Sequence, residues 1–125
     1  MTSLEEMLSA YIEAALWSSA DMDGYGEYLD ANYGREDLAP EIAKRMRADC
    51  AAFMEAHAAD IEAGHFGVGA WSQAGHDFWL TRCGHGCGFW DGDWPEPQAS
   101  RLTEACEALG NVDLYVGDDG LIYAC

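Results

Sequence analysis

Positive charge is what this sequence has least of. Its 125 residues hold six lysines and arginines, Lys44 being the one lysine, against 23 aspartates and glutamates, so the formal net charge is −17. The phosphates of nucleic acid and of anionic membranes repel such a chain, which argues against both as direct partners. A small domain is ordinarily kept soluble by a net charge of magnitude about 2–8. The excess here repels itself and costs stability, so it calls for a role. A basic protein surface or metal cations are what it would attract. Long apolar runs are missing too: no stretch of about 18 apolar residues occurs, so no membrane-spanning helix is expected. The opening residues, Met1-Thr2-Ser3-Leu4-Glu5-Glu6, have neither the basic nor the apolar segment of a secretory signal. Five cysteines is an odd number, and with no secretory signal they are expected as reduced thiols in a cytoplasm. There is no internal repeat and no low-complexity tract.

Half of the residues are apolar, which excludes disorder, and the length suits a single domain spanning 1–125 with one core. Ser3 and Glu6 form a capping box. Leu4, Met7, Leu8, Tyr11, Ile12, Ala15 and Leu16 then recur at helical spacing, predicting a helix over about 4–18. Asp21 to Asp37 follows, acidic and glycine-containing, with Tyr25, Tyr28, Leu29 and Tyr33 interleaved. It reads as a loop with a short helical turn around Glu27–Ala31. Pro40 fits the first turn of a helix, where its missing N–H costs nothing. Ile42, Met46, Cys50, Phe53, His57 and Ile61 continue that helix over about 40–63, with Gly64 as its stop. His57 and Cys50, on this stripe, are expected in the core. Lys44, Arg45 and Arg47 cluster beside Glu41 and Asp49, as exposed pairs of little worth.

The densest chemistry lies at His76–Asp93, HDFWLTRCGHGCGFWDGD. His76, Phe78 and Leu80 alternate with Asp77, Trp79 and Thr81, which reads as a strand. Cys83-Gly84-His85-Gly86-Cys87 reads as a turn, and Gly88-Phe89-Trp90 as the returning strand. Trp94-Pro95-Glu96-Pro97 cannot continue the ladder. A third helix is expected over about 99–109, with Leu102, Ala105, Cys106 and Leu109 on one face and Gly110 as its stop. Val112–Val116 and Leu121–Ala124, joined by Asp118-Asp119-Gly120, form a second hairpin. The expectation is an α+β domain with a four-stranded antiparallel sheet made of two hairpins, about 76–90 and 112–124. It divides into a helical half, 1–64, a glycine-rich link, 65–75, and a hairpin–helix–hairpin half, 76–125.

Several chemistries were weighed against turn and core roles. Cys83, His85 and Cys87 are soft ligands near His76 and Asp77, but an obvious fourth zinc ligand is lacking, and the expectation is no metal and no cofactor. A thiolate–imidazole pair from Cys83 or Cys87 with His85 or His76 lacks an orienting third residue, so no catalytic residue is expected and the chain is read as no enzyme. Asp91-Gly92-Asp93 and Asp118-Asp119-Gly120 lack the calcium loop that ends in glutamate. The glycines of His65–Gly75 follow no strand and therefore make no dinucleotide fingerprint. Phe78, Trp79, Phe89, Trp90 and Trp94 resemble a base-stacking platform, yet Arg82 and Arg101 among many acids are too little positive charge for one. They read as core.

The stretch HDFWLTRCGHGCGFWDGDWP, with LTEACEALG and LYVGDDGLIY after it and AALWSS…LDANYGREDLAPEIAKRMRADCAAF before it, resembles a family of small acidic proteins encoded by bacterial viruses. Members commonly read HDFWLTRNGHGAGFWD at the first block, and most have no assigned function. Cys83 and Cys87 depart from that pattern, which leaves His76, Asp77, Arg82, His85, Trp90 and Asp91 as the candidate residues of the block. The resemblance implies a viral protein acting in the host cytoplasm. Combined with the charge, it points to an inhibitor that binds a basic, nucleic-acid-binding defence complex by presenting carboxylates to its Lys/Arg groove, in the manner of an anti-CRISPR protein. The carboxylates expected to do so are Asp21, Asp23, Glu27, Asp30, Glu36 and Asp37. The alternatives are a small-molecule or metal-binding module built on His76 and His85, and a viral accessory or structural protein.

Overall fold

The computed structural model describes residues 2–20, 27–64, 69–83, 88–89 and 94–124. Four helices, α1 (Ser3–Ser18), α2 (Pro40–Gly64), α3 (Ala70–Arg82) and α4 (Gln98–Leu109), carry most of them. Among the described residues a single hairpin, β1 (Leu114–Val116) and β2 (Ile122–Ala124), follows α4. Helix α1 is capped one residue earlier than the capping box suggests: the Thr2 hydroxyl accepts from the Glu5 amide at 3.1 Å. Pro40 does open α2. That helix has a break at His57 (φ −127°, ψ 16°), where the half-buried imidazole packs on the Phe53 ring at 4.6 Å between centroids. Two short 3-10 turns, Leu29–Ala31 and Arg35–Asp37, stand between α1 and α2, the first where a helical turn is expected.

The expected four-stranded sheet is not formed. Residues 76–82, read as a strand, are the second half of helix α3, and residues 70–75 of the expected glycine-rich link are its first half. The described part of the return arm, Gly88 and Phe89, is not in a strand. The reason lies in the burial. From Asp77 to Arg82 every side chain of α3 is buried, so the helix shows no polar stripe over these two turns, and a short run buried all round carries no 3.6-residue period. The alternation of the sequence there is a coincidence of residue order. The sheet has two strands, with Leu114 opposite Ala124, Tyr115 opposite Tyr123 and Val116 opposite Ile122. Its turn is the expected one: Gly120 takes φ 82° and its amide donates to the Gly117 carbonyl at 3.0 Å. A parallel bridge between Leu38 and Ile122 ties this hairpin to the start of α2, through the Ala39 amide on the Ile122 carbonyl at 2.9 Å.

Helix α3 lies chiefly against α1. The crossing is close because Gly75 has no side chain: a Cβ there would stand 2.0 Å from the Met7 carbonyl oxygen. Around the crossing sits a continuous core. Phe53 of α2 stacks on Phe78 at 4.2 Å and on Phe89 at 5.9 Å, Phe89 meets Trp94 edge-on at 5.4 Å, and Tyr11 of α1 packs on Phe78 and Trp79 at 5.0 and 5.4 Å. The aromatics of the dense stretch that are described are therefore core, as expected, but they reach it from a helix and its following loop.

Two predictions test this packing. Glycine to alanine inside a helix normally stabilises by about 1 kcal/mol. Gly75→Ala should instead destabilise by roughly 1–3 kcal/mol or more in urea unfolding, because the new methyl meets rigid backbone; a gain in stability would place the crossing elsewhere. The second concerns alkali. Burial pushes the Cys50 thiol from 9.0 up to about 12, and burial likewise raises Cys106 and the Tyr11 phenol. Groups raised in the folded state contribute stability that is fully present below their unfolded values and is lost as pH rises above them. Unfolding free energy, measured with reductant, should be level below about pH 8.5 and then fall by up to about 1.4 kcal/mol per pH unit for each group that ionises on unfolding. Replacing Cys50 and Cys106 by alanine should flatten that slope; an unchanged slope would show that neither thiol is its source.

Candidate functional site

Among the described residues, helix α3 holds the three buried polar or charged ones, Asp77, Thr81 and Arg82. Asp77 and Arg82, two of the six residues singled out in the dense stretch, prove to be internal supports. The Asp77 carboxylate is wholly buried. It accepts from the Gln73 side-chain amide at 3.0 and 2.9 Å and from the Trp94 indole N–H at 2.7 Å, and it lies 3.3 Å from His76 Nδ1. Since a carboxylate only accepts, that contact places the hydrogen of a neutral His76 on Nδ1 and leaves Nε2 as an acceptor. Arg82 donates from Nε to the Gly110 carbonyl at 3.1 Å and from Nη1 to the Tyr11 hydroxyl and to Asp49, each at 3.0 Å. Its guanidinium also stands 5.5 Å from the centre of the Phe78 ring. Burial alone would lower its pKa, but Tyr11 and Asp49 outweigh that, and the net direction is upward.

His76 is different. Its side chain is about one-third exposed (36%), and Trp17 of α1 packs on its ring at 5.7 Å. It lines a groove of about 360 Å³ with Ala10 and Glu13 of α1, Gly69, and Ser72 and Gln73 of α3. His85, Trp90 and Asp91 lie outside the described residues, as does Cys87. Cys83 is half-buried just past α3, its thiol 3.6 Å from the Leu80 carbonyl. Among the described residues no three His, Cys, Asp or Glu side chains gather as a metal site.

Of the acids proposed to meet a partner, Asp21 and Asp23 also lie outside the described residues. Glu27, Asp30 and Glu36 are exposed. Asp37 is half-buried and takes the Gly34 amide at 2.8 Å, which closes the second 3-10 turn. Around the segment, Ala20 pairs with Tyr28 and the Leu29 amide donates to Ser19, so its two flanks are drawn together. The basic residues are arranged the opposite way. Arg35 and Arg47 both pair with Glu5, Arg82 with Asp49 and Arg101 with Asp60. These contacts hold the Glu5 carboxyl below its usual range, chiefly through the bond from Arg47, and that of Asp60, chiefly through the bond from Arg101. The pairs expected for Arg47 with Glu41 or Asp49 are not those formed.

The residues that the sequence reading missed are Glu13, Trp17, Ser72 and Gln73. Gln73 and Asp77 are four apart, a spacing that would have exposed the pair had the segment been read as helix. Trp17 packs on His76 and Glu13 shares its groove only through the helix crossing, for which the sequence carries no local signal. The chain matches no protein-family model, no curated protein and no solved structure. No described helix is long and apolar enough to cross a membrane.

Arg82→Lys tests the internal role. Lysine keeps the charge but has one nitrogen where Arg82 uses two, so the Gly110 carbonyl and the Tyr11–Asp49 pair cannot all be served. Stability in urea should fall by roughly 1–3 kcal/mol; an unmoved midpoint would show that the three contacts add nothing to the fold.

Proposed function

We propose that this chain is an interaction protein, viral in origin, that presents carboxylates to the Lys/Arg groove of a nucleic-acid-binding host defence complex in the cytoplasm and inhibits it, in the manner of an anti-CRISPR protein. The observation that carries the reading is the partition of charge. Among the described residues, four of the six cations are already paired within the molecule, leaving only Lys44 and Arg45 without an acidic partner. Against them stand exposed acids on several elements, among them Glu13, Glu27, Asp30, Glu36, Glu41, Glu55, Glu104 and Glu107. A surface with so little uncompensated positive charge attracts a basic groove by the same counterion release that nucleic acid uses there. The resemblance of the dense stretch to small acidic viral proteins, together with the charge, is the ground for proposing a host defence complex as that partner.

The test is capture of partners from host lysate on the tagged protein. The triple variant Glu27→Lys, Asp30→Lys and Glu36→Lys leaves Asp37 in its capping role and should fold as before. It should lose the partner, and the wild-type complex should dissociate between about 50 mM and about 200 mM salt or on addition of competing DNA. Undiminished capture by the triple variant would remove the 27–37 surface from the interface. Capture that resists both salt and DNA would remove charge mimicry as its basis.

A further inference from the structure

The α1–α3 groove has a property that total charge does not explain: several of its acceptors are fixed from within the core. Three observations establish this. Gln73 turns its NH2 group to both oxygens of Asp77, which leaves its carbonyl oxygen as an acceptor. His76 is held through Nδ1 against the same carboxylate, so the neutral imidazole offers Nε2 as an acceptor. Glu13, exposed on α1, adds a carboxylate to the same groove, and Ser72 adds a hydroxyl. Asp77 itself is wholly buried and also receives the Trp94 indole, so the residue that sets both orientations is anchored in the core. Acceptors fixed by a buried carboxylate and supplemented by a negative charge suit a planar cation with several N–H donors.

We infer that this groove binds a guanidinium group, with Glu13 as its counter-ion and Gln73 and His76 as neutral acceptors beside it. The inference deepens the functional reading above, because an arginine of a basic partner would supply that group, while a free arginine-like molecule is the other source of the same chemistry. Lysine is the poorer fit, since its ammonium is compact and cannot address acceptors spread along the groove. Asp77 is a positioning residue here: it does not reach the ligand but sets what Gln73 and His76 present to it.

The experiment is an NMR titration of the isotopically labelled protein with Nα-acetyl-arginine-N-methylamide, and in parallel with its lysine counterpart and with free L-arginine. Saturable shifts are expected at Glu13, Ser72, Gln73 and the His76 ring, weaker by at least about tenfold for the lysine compound. Glu13→Gln, a surface change that should fold normally, should weaken arginine binding at least about tenfold, as expected for loss of one hydrogen bond to a charged group. Tighter binding of free L-arginine than of the capped compound would assign the groove to a small molecule; equal or weaker binding would assign it to a partner's side chain. The inference is overturned if the capped arginine causes no saturable shift at these residues, if Glu13→Gln binds it unchanged, or if lysine binds as well. Because the titration uses the purified protein alone, it is independent of whether any partner is captured from lysate. A working groove with no basic partner would refute the inhibitor reading and leave this inference standing.

Discussion

The buried guanidinium of Arg82 is the interaction on which the other elements converge. It leaves the end of α3 and reaches Tyr11 of α1, Asp49 of α2 and the carbonyl of Gly110 just past α4. All four helices therefore meet at one side chain. Burying a cation is expensive unless its donors are satisfied, and a pair buried for its own sake is weak evidence of stability. Here the geometry argues for specificity. An apolar residue at this position could fill the space, but it could not require α1, α2 and the end of α4 to arrive in one relative placement. In a chain with only six cations, one is withdrawn from the surface for this purpose.

The same helix makes the second constraint. Gly75 lets α3 approach the backbone of α1, and everything from Asp77 to Arg82 is then enclosed. The close crossing and the polar network depend on each other. Asp77 can be wholly buried because Gln73, Trp94 and His76 surround it, and Trp94 sits edge-on against Phe89, whose amide donates to Thr81 Oγ1 at 3.0 Å. A helix that is polar in sequence at Asp77, Thr81 and Arg82 thereby becomes the most buried element of the fold.

This explains which parts of the structure the sequence disclosed. Helices α1, α2 and α4 each set an apolar stripe against a polar face, and their extents could be read from the spacing of residues such as Leu8, Ile12, Met46, Phe53, Leu102 and Cys106. The final hairpin was legible from Asp118-Asp119-Gly120, because positive φ at Gly120 is a local demand. Helix α3 was not legible, because its second half, Asp77 to Arg82, is buried all round and has no stripe, and its alternation of His76 to Arg82 imitates a strand. The six candidates of this block came from its resemblance to the viral family and not from the strand reading; the helix turns two of them, Asp77 and Arg82, inward and leaves His76 beside Ser72 and Gln73. Phe78, Trp79, Phe89 and Trp94 were correctly assigned to the core for a reason independent of secondary structure, namely that an acidic surround does not support a base-stacking surface.

The acidity and the buried network bear on one another in a way that composition alone would not suggest. A chain with a net charge of −17 gains nothing electrostatically from a further buried carboxylate, and Asp77 is tolerated only because it is surrounded by donors. Its effect is to polarise what remains exposed. By drawing the NH2 group of Gln73 and the Nδ1 hydrogen of a neutral His76 toward itself, it leaves the Gln73 carbonyl oxygen and His76 Nε2 as acceptors. The negative character of the α1–α3 face therefore extends beyond its formal charges to its neutral groups. Salt screens the formal charges over about 10 Å at 0.1 M, but it does not reverse a fixed acceptor. A surface built only from exposed glutamates would draw any cation and hold none in particular. One in which a core-anchored carboxylate dictates the hydrogen-bond sense of its neighbours can distinguish a guanidinium from an ammonium, and that distinction separates recognition of a partner from mere attraction to it.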